Sequence, residues 1–398
     1  MGQLSDDSCC SLITANRLFF HSPMTPPKII RLLDRENFDA VIDESVTLLR
    51  QGGVVVLPTE TVYGIAALAS DESAIQRLID IKGRRVGHAL PLAIAGFEML
   101  NDYVPAPGVL GMRLARRCWP GPLTLVFDGT ATDSHLSRYP IPVRRAIMPG
   151  GTVGFRVPNH PVTIEILHAL GEPLALSSAN RSGDSPALTA EEVLISMDDK
   201  VDLILDAGES DLKKPSTVIR VEVDTLEILR EGAITSDTIE KLTAKIILFV
   251  CTGNTCRSPM AEAICEKLLS ERLGCQIEEL ENEGYLVLSA GIAAGHGDGA
   301  SPMAREVIGK YGLNLDDHRS QLLTETLLRF ADQIFVLARN HREAILSFWP
   351  GVDTRLQVLR LDGGDVADPI GGNYETYKQC AKEIENAIAA RIDSISEA

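Results

Sequence analysis

The stretch Ile246-Ile-Leu-Phe-Val-Cys-Thr-Gly-Asn-Thr-Cys-Arg-Ser-Pro259 carries the strongest structural signal in the chain. Five consecutive apolar residues, Ile246 to Val250, are typical of a strand buried in a parallel sheet. Pro259 follows the loop and is favoured in the first turn of a helix. A strand, a tight loop and a helix in this order predict a doubly wound parallel sheet in the C-terminal part of the chain.

Strand and helix patterns alternate on both sides of this stretch. In the C-terminal part they predict further strands near 285–289 and 333–337. They also predict helices over 259–269, 304–310 and 374–392. In the N-terminal half they predict shorter elements: strands at 53–57 and 174–176, and helices over 72–82 and 190–197. The sequence therefore predicts an α/β protein, with an N-terminal mixed α/β domain that has a twisted sheet and a C-terminal doubly wound domain.

The length of the chain predicts two domains, because 398 residues exceed the usual size of one hydrophobic core. The polar, helix-like stretch between Arg230 and Lys245 marks their boundary. The predicted divisions are a disordered extension at 1–30, an N-terminal domain at 31–235, a linker at 236–245 and a C-terminal domain at 246–398.

The composition restricts the compartment and the partners. A formal net charge of −17 is unfavourable for a protein whose whole surface binds nucleic acid, although it leaves room for local basic clefts. Eight cysteines without regular spacing predict reduced thiols in the cytoplasm rather than a disulfide framework. The apolar residues at 9–20 are interrupted by Asn16 and Arg17, so we expect neither a signal peptide nor a membrane span.

The loop between the predicted strand and helix places five residues between Cys251 and Arg257. Backbone N–H groups of such a loop, with the positive end of the helix, can surround a tetrahedral oxyanion. The same field favours the thiolate of Cys251 as a nucleophile, and Arg257 offers a planar fork for phosphate oxygens. Gly253 permits conformations that other residues resist, and Ser258 can donate a hydrogen bond to the thiolate. The pattern predicts a cysteine-dependent phosphatase.

Residues 246–392 resemble the low-molecular-weight protein tyrosine phosphatases, which open with this loop. The resemblance implies that Asp368, in the pair Asp368-Pro369, is the general acid that protonates the leaving group and then activates water. It implies a phosphate loop with supporting hydrogen bonds, formed by Thr252, Gly253, Asn254, Thr255, Cys256, Ser258, Ser289 and His341. In this family the second loop cysteine, here Cys256, can trap the nucleophile as a reversible disulfide.

Thr255 bears on the choice of substrate. Tyrosine-specific members of this family usually carry a bulky aliphatic residue there, whereas the bacterial protein-arginine phosphatases resemble the loop Cys-Thr-Gly-Asn-Thr-Cys-Arg. The resemblance therefore favours phosphoarginine over phosphotyrosine, and the motif Asp-Pro-Ile-Gly-Gly, which lacks an aromatic pair after the proline, agrees. Arsenate reductases share the loop but need a resolving pair of cysteines, which Cys265, Cys275 and Cys380 do not provide.

The N-terminal half contains five short motifs, which are Leu57-Pro-Thr-Glu-Thr-Val-Tyr-Gly64, Lys82-Gly-Arg-Arg85, Trp119-Pro-Gly-Pro-Leu-Thr124, Val153-Gly-Phe-Arg-Val-Pro158 and Ser177-Ser-Ala-Asn-Arg-Ser-Gly183. In this order, over roughly residues 38–234, they resemble the YrdC-like family, the threonylcarbamoyl-AMP synthases. The resemblance implies that L-threonine, bicarbonate and ATP are joined to threonylcarbamoyl-adenylate with release of pyrophosphate. A separate transferase would then carry the threonylcarbamoyl group to adenosine 37 of tRNA.

The same resemblance assigns residues to ligands. Cations near the triphosphate are expected from Lys82, Arg84 and Arg156, and hydrogen bonds to ATP from Ser178 and Asn180. Thr59 and Tyr63 lie in the segment that helps to hold threonine. Mg²⁺ is expected to bridge the phosphates, without a dedicated set of metal-ligating residues.

Two alternatives stay open for the N-terminal half. The basic cleft of its family also suits an RNA-binding module without adenylate formation, and the acidic net charge weighs against that hypothesis. The segment 133–150 is longer than expected for this family. It suits either a mobile lid over the nucleotide or a disordered insertion.

Overall fold

Two sheets divide the described part of the chain into two domains. The computed structural model describes residues 27–32, 38–83, 87–197, 200–223 and 225–397. A ten-stranded mixed sheet forms the N-terminal domain, and a four-stranded parallel sheet forms the C-terminal domain. The predicted fold class is confirmed in both parts.

The N-terminal sheet combines parallel and antiparallel neighbours. Its strands are β1 (Lys28–Arg31), β2 (Val55–Leu57), β3 (Gly64–Leu68), β4 (Leu92–Ala93), β5 (Leu123–Asp128), β6 (Thr152–Arg156), β7 (Leu174–Ser178), β8 (Leu203–Asp206), β9 (Thr217–Val221) and β10 (Leu226–Arg230). They are ordered β1-β8-β2-β3-β7-β4-β6-β5-β9-β10. The helices are α1 (Phe38–Arg50), α2 (Glu72–Lys82), α3 (Leu100–Tyr103), α4 (Gly108–Cys118), α5 (Ile141–Ile147), α6 (Pro161–Leu170), α7 (Ala190–Met197) and α8 (Ser236–Thr243).

Alternating side chains of the central strands fill two cores, one on each face of this sheet. In β2 and β3, Val56 and Ile65 pack into the core that contains α2, α4 and α7, whereas Val55 and Ala66 pack against α1 and α6. Burial of both faces explains why these strands are apolar throughout. A cleft opens at the start of β3 and at the ends of β6 and β7.

The C-terminal sheet is entirely parallel, in the order β12-β11-β13-β14. Its strands are β11 (Lys245–Cys251), β12 (Tyr285–Gly291), β13 (Gln333–Val336) and β14 (Leu356–Val358). Its helices are α9 (Arg257–Leu273), α10 (Pro302–Gly309), α11 (Glu325–Phe330), α12 (Arg339–Phe348), α13 (Tyr374–Ala389) and α14 (Ile392–Ser396). Phe249 points towards α9 and α13, and its neighbour Leu248 packs with α11 and α12. Helices on both faces make this sheet doubly wound.

Several predicted boundaries differ from the structure. The expected extension to residue 30 is too long, because Lys28–Arg31 pairs in parallel with β8; residues 1–26 lie outside the described residues. The expected linker is largely helix α8, which is capped by Thr235 and buries Ile239. Residues 133–150 are neither a lid nor a disordered insertion, since Leu136, Val143 and Ile147 are buried in the core. Within the described residues, no helix is both long and apolar enough to cross a membrane.

Candidate active sites

The predicted phosphate loop lies where β11 ends and α9 begins. Cys251 is buried at the end of the strand, and its Sγ lies 3.0 Å from Ser258 Oγ. The backbone N–H of Asn254 also donates to Sγ, at 3.3 Å. Helix α9 has 17 residues and directs its positive N-terminal end at the loop. Hydrogen-bond donors and a helix N-terminus thus face the sulfur, and the role of Cys251 as nucleophile stays a prediction.

Asn254 holds the loop in shape. It is fully buried and left-handed, with φ +54°, so the special backbone position is Asn254 and not Gly253 as the sequence suggested. Its side-chain Nδ2 donates to Ser258 Oγ at 3.0 Å and to Ser289 Oγ at 2.8 Å. Its Oδ1 accepts from the backbone N–H of Gln321 at 2.8 Å. The predicted supporting residues Asn254, Ser258 and Ser289 therefore lie together.

Glycine is required at Gly291, which closes this contact from the next strand. A Cβ there would lie 2.5 Å from the carbonyl oxygen of Thr252 and 2.9 Å from the backbone N of Asn254. Such contacts are too short for any other residue without displacing the loop.

The predicted clamp and the predicted acid are in contact. Arg257 is buried and donates from Nη2 to Asp368 Oδ2 at 2.6 Å, and from Nη1 to the carbonyl of Val366 at 3.3 Å. The Asp368 carboxylate is partly exposed, and its Oδ1 accepts from the backbone N–H of Ile370 at 3.2 Å. The guanidinium of Arg257 and the carboxylate of Asp368 therefore form an ion pair at the loop.

Two histidines contact the phosphate loop, one expected from the sequence and one not. His341, predicted to support the loop, is fully buried with Nε2 at 2.9 Å from Thr252 Oγ1. Burial, with the nearby Arg257, lowers the pKa of His341 to about 4, so its ring is neutral at pH 7. His318, which the sequence did not single out, places Nε2 at 2.7 Å from the carbonyl oxygen of Asn254. Its isolated position in a polar segment gave no signal.

Glu262 extends the hydrogen-bond network and was also missed. It accepts a short hydrogen bond from Ser289 Oγ, and burial raises the pKa of its carboxyl to about 7. A continuous path thus runs from Glu262 through Ser289, Asn254 and Ser258 to the sulfur of Cys251. Glu262 is four residues from Ser258, so both lie on one face of α9. This spacing was the sequence signal that could have identified Glu262.

The remaining loop residues differ in their exposure to solvent. Thr252 is exposed and Thr255 is partly exposed, whereas Cys256 is buried with its sulfur at 3.2 Å from Tyr377 Oη. Cys251 and Cys256 are both free thiols. The reversible disulfide between them stays a prediction.

A cleft of about 610 Å³ lies in the N-terminal domain and brings together several predicted residues. Its lining includes Thr59, Tyr63, Arg156, Ser178 and Asn180, contributed by the loop before β3 and by the ends of β6 and β7. Lys82 is not in the lining, and Arg84 lies outside the described residues.

Arg156 is the best-positioned cation of this cleft. It donates to Thr61 Oγ1 at 2.9 Å and to the carbonyl of Gly121 at 3.2 Å, and pairs with Glu60 Oε1 at 2.8 Å. Arg230 also lines the cleft and was not predicted; it donates to the carbonyl of Ser216 at 2.7 Å. Burial, with the positive charge of Arg156, lowers the pKa of Arg230. Two guanidinium groups that line one cleft can bind a polyanion.

Lys82 supports two residues that line the cleft. It is buried, and its Nζ donates to the carbonyl oxygens of Ser178 and Asn180, both at 2.6 Å. Asn180 in turn donates from Nδ2 to the carbonyl of Asp184 at 2.7 Å. Lys82 therefore holds the segment that carries Ser178 and Asn180, and its predicted contact with a triphosphate stays a prediction.

Thr59 and Tyr63 are fixed by local hydrogen bonds. Thr59 Oγ1 donates to the carbonyl of Val62 at 2.6 Å. The Tyr63 hydroxyl donates to the carbonyl of Gly208 at 2.7 Å and accepts from the N–H of Ala207 at 3.0 Å. Burial raises the pKa of Tyr63 to about 12, so it contributes shape and a hydroxyl dipole rather than proton transfer.

The described residues include no group of three or more His, Cys, Asp or Glu side chains arranged to hold a metal ion. The carboxylate nearest the guanidinium groups of the cleft, Glu60, is already engaged by Arg156. The expected Mg²⁺ ion stays a prediction.

Comparisons with known proteins divide the chain at the same place as the sheets. Residues 47–232 match the family model Sua5, YciO and YrdC, described as telomere recombination, and residues 246–398 match that of low molecular weight phosphotyrosine protein phosphatase. A putative threonylcarbamoyl-AMP synthase of Mycobacterium tuberculosis is 33% identical over 215 residues, which are 52% of this chain and 92% of that protein. The chain belongs to both families.

Other relatives cover different shares of the chain. The threonylcarbamoyl-AMP synthase of Pyrococcus abyssi is 35% identical over 199 residues, or 50% of this chain, and the match spans only 56% of that protein. The YwlE arginine phosphatase from Geobacillus stearothermophilus is 32% identical and covers 38% of this chain and 92% of its own, with a TM-score of 0.33. A low molecular weight protein tyrosine phosphatase from T. tengcongensis is 36% identical, with 38% and 99% covered and a TM-score of 0.34.

Proposed function

We propose that the chain is a bifunctional enzyme whose N-terminal domain forms threonylcarbamoyl-adenylate from L-threonine, bicarbonate and ATP. The observation that carries this is the cleft in which Arg156 and Arg230 lie together beside Ser178 and Thr59. The two guanidinium groups would bind the triphosphate, while the segment with Thr59 and Tyr63 would hold threonine. The names of the relatives agree with this substrate.

Mg²⁺ would enter the cleft with the nucleotide as part of the substrate. It would lower the negative charge of the phosphates, and Arg156 would orient them. The product would pass to a separate transferase that acts on tRNA. The free thiols of the described cysteines support the expected cytoplasmic location.

Pyrophosphate release tests the first activity. Purified protein should release pyrophosphate from ATP only when threonine and bicarbonate are both present. Cys251→Ser should keep this activity and lose all phosphatase activity, because the nucleophile lies in the other domain. Release without threonine would contradict the proposal. Salt-sensitive retention of tRNA without any pyrophosphate release would instead support an RNA-binding module.

The phosphatase-family domain would work in two steps. The thiolate of Cys251 attacks phosphorus and forms the S–P bond while the bond to the leaving group breaks, and Asp368 gives that group its proton. Water then attacks phosphorus, loses a proton to Asp368 and releases phosphate and the thiolate. Arg257 exchanges Asp368 for two phosphoryl oxygens, and Ser258 stabilises the departing sulfur.

Protein phosphoarginine is the substrate that the loop favours over phosphotyrosine. Thr255 is small, polar and partly exposed beside the buried Cys256, so it leaves room and a hydroxyl for a guanidinium group. Ile370, which follows the acid, is exposed and presents no ring to stack on a tyrosine.

Thr255→Ile tests this preference with phosphoarginine and phosphotyrosine peptides of one sequence. The variant should lose at least about tenfold in kcat/KM for phosphoarginine relative to phosphotyrosine, which corresponds to about 1.4 kcal/mol. Cys251→Ser should be inactive on both peptides. An unchanged ratio of the two rates would contradict a selective role for Thr255.

A further inference from the structure

Helix α4 of the N-terminal domain projects three arginines at one carboxylate of the phosphatase-family domain. Asp332, which precedes β13, accepts from Arg113 Nε at 3.1 Å, Arg116 Nη2 at 2.7 Å and Arg117 Nη2 at 2.7 Å. Arg113 and Arg116 donate to Oδ1 of this carboxylate, whereas Oδ2 accepts from Arg117 and also from the backbone N–H of Ile246, at 2.9 Å. One side chain thereby joins α4, the start of β11 and the start of β13.

The same arginines bind backbone carbonyls that a helix end leaves without partners. Arg116 donates to the carbonyl of Arg329 at 2.7 Å, and Arg117 donates twice to that of Phe330, at 2.7 and 3.0 Å. These carbonyls close helix α11, where cations are favourable. Arg113 and Arg117 also donate to carbonyls at the end of α8, namely Leu242, Thr243 and Ala244.

The arginines of α4 and Asp332 are buried charges, and each side of the contact neutralises the other. The side chains of Arg113, Arg116 and Arg117 are 9%, 12% and 0% exposed, and that of Asp332 is 10% exposed. Burial, together with the neighbouring arginines, lowers the pKa of Arg117 to about 10 despite Asp332. Buried charges are tolerated only when they are paired and hydrogen-bonded. Both surfaces therefore fit one specific partner, which is the other domain.

We propose that the arginine face of α4 and the Asp332 end of the phosphatase-family sheet are a docking surface that makes the two domains one cooperative folding unit. The partner of each surface is the other domain of the same chain. Arg116 and Arg117 of α4 supply hydrogen-bond donors to the backbone carbonyls at the end of α11. This property is separate from both catalytic activities. It predicts that a change in one domain alters the stability of the other.

Pulse-labelled hydrogen exchange across a urea series tests the proposal on the full chain. Peptides covering β3 report on the first domain, and peptides covering β11 report on the second. In the wild type, both sets should give one urea midpoint. Arg116→Ala, made in the first domain, should lower the midpoint of the β11 peptides by about 0.5–1 M.

Matched variants complete the test. Asp332→Asn, made in the second domain, should lower the midpoint of the β3 peptides by a similar amount. Arg31→Ala, which removes an exposed arginine of the first domain, should change neither set. If Arg116→Ala does not fold, Arg116→Lys keeps the charge without the fork and should give a smaller shift of the same sign. Separate wild-type midpoints, or a shift confined to the mutated domain, would overturn the proposal.

Discussion

Glu60 is a buried carboxylate that the sequence placed only within a polar turn. Its Oε1 lies 2.8 Å from Arg156 Nη2, and its Oε2 accepts from the backbone N–H of Asn159 at 2.9 Å. Oε2 is thus hydrogen-bonded, whereas Oε1 is held by the charge of Arg156 without an aligned hydrogen bond. A carboxylate satisfies this arrangement, whereas an amide has one oxygen and one NH₂ group. We infer that Glu60 positions Arg156 for the anion that enters the cleft.

Glu60→Gln should weaken this positioning. The NH₂ group would face either Arg156 or Asn159, and an unsatisfied buried donor costs about 1–3 kcal/mol. We expect a lower free energy of unfolding and a KM for ATP raised about tenfold, with a smaller change in kcat, measured by pyrophosphate release. Glu44→Gln, which changes an exposed acid paired with Lys28, is the control and should change neither quantity. Wild-type stability and KM in Glu60→Gln would refute the role.

Helix α9 shows how one element supports the chemistry of another. Its first turn carries Arg257 and Ser258, and its next turns carry Glu262 and Glu266, which are both half-buried. Burial raises the pKa of both glutamates to about 7, and for Glu266 the charge of Glu262 adds to the effect. Glu262 is used by the loop through Ser289. Glu266 lies four residues farther along the helix and is a second half-buried acid.

Glu266→Gln should therefore stabilise the protein at high pH. The folded state holds the proton of Glu266 up to about pH 7, whereas the unfolded chain releases it near 4.5, so stability falls as pH rises through this window. Glutamine does not titrate, and its gain should reach about 3 kcal/mol above pH 7 and vanish below pH 4.5. Urea unfolding across pH 4–8 measures it. Glu271→Gln, at an exposed position of α9, should show no such trend; a pH-independent gain would contradict the argument.

Local signals explain which elements were predictable. The bounds of α2, Glu72–Lys82, follow from Asp71 as N-cap and the left-handed Gly83 as C-cap, both visible in the sequence. The loop from Cys251 to Arg257 was equally local. The pairing of β1 with β8 was not predictable, because it joins residues about 175 apart through backbone bonds. The burial of Glu262 and the contact of His318 likewise depend on packing that no spacing records.

The two domains meet at the end of the phosphatase-family sheet that is remote from its chemistry. Asp332 and Lys245 lie at the amino ends of β13 and β11, whereas Cys251 lies at the carboxyl end of β11. Strand β11 has seven residues from Lys245 to Cys251, so its two ends lie about 20 Å apart. This contact was not predictable from the sequence, since three arginines on a helix are typical of an exposed face. The geometry favours shared stability over shared catalysis.

Arg116→Ala should consequently weaken the fold without changing the phosphatase reaction. The loop that holds Cys251 is built from Asn254, Ser289 and Arg257, none of which contacts α4 in the described hydrogen bonds. At a temperature well below unfolding, we expect kcat/KM for a small aryl phosphate within about twofold of the wild type, while the thermal midpoint falls by several degrees. Arg31→Ala should leave both unchanged. A drop of tenfold or more in kcat/KM with a fully folded variant would show instead that the contact between the domains controls the active-site loop.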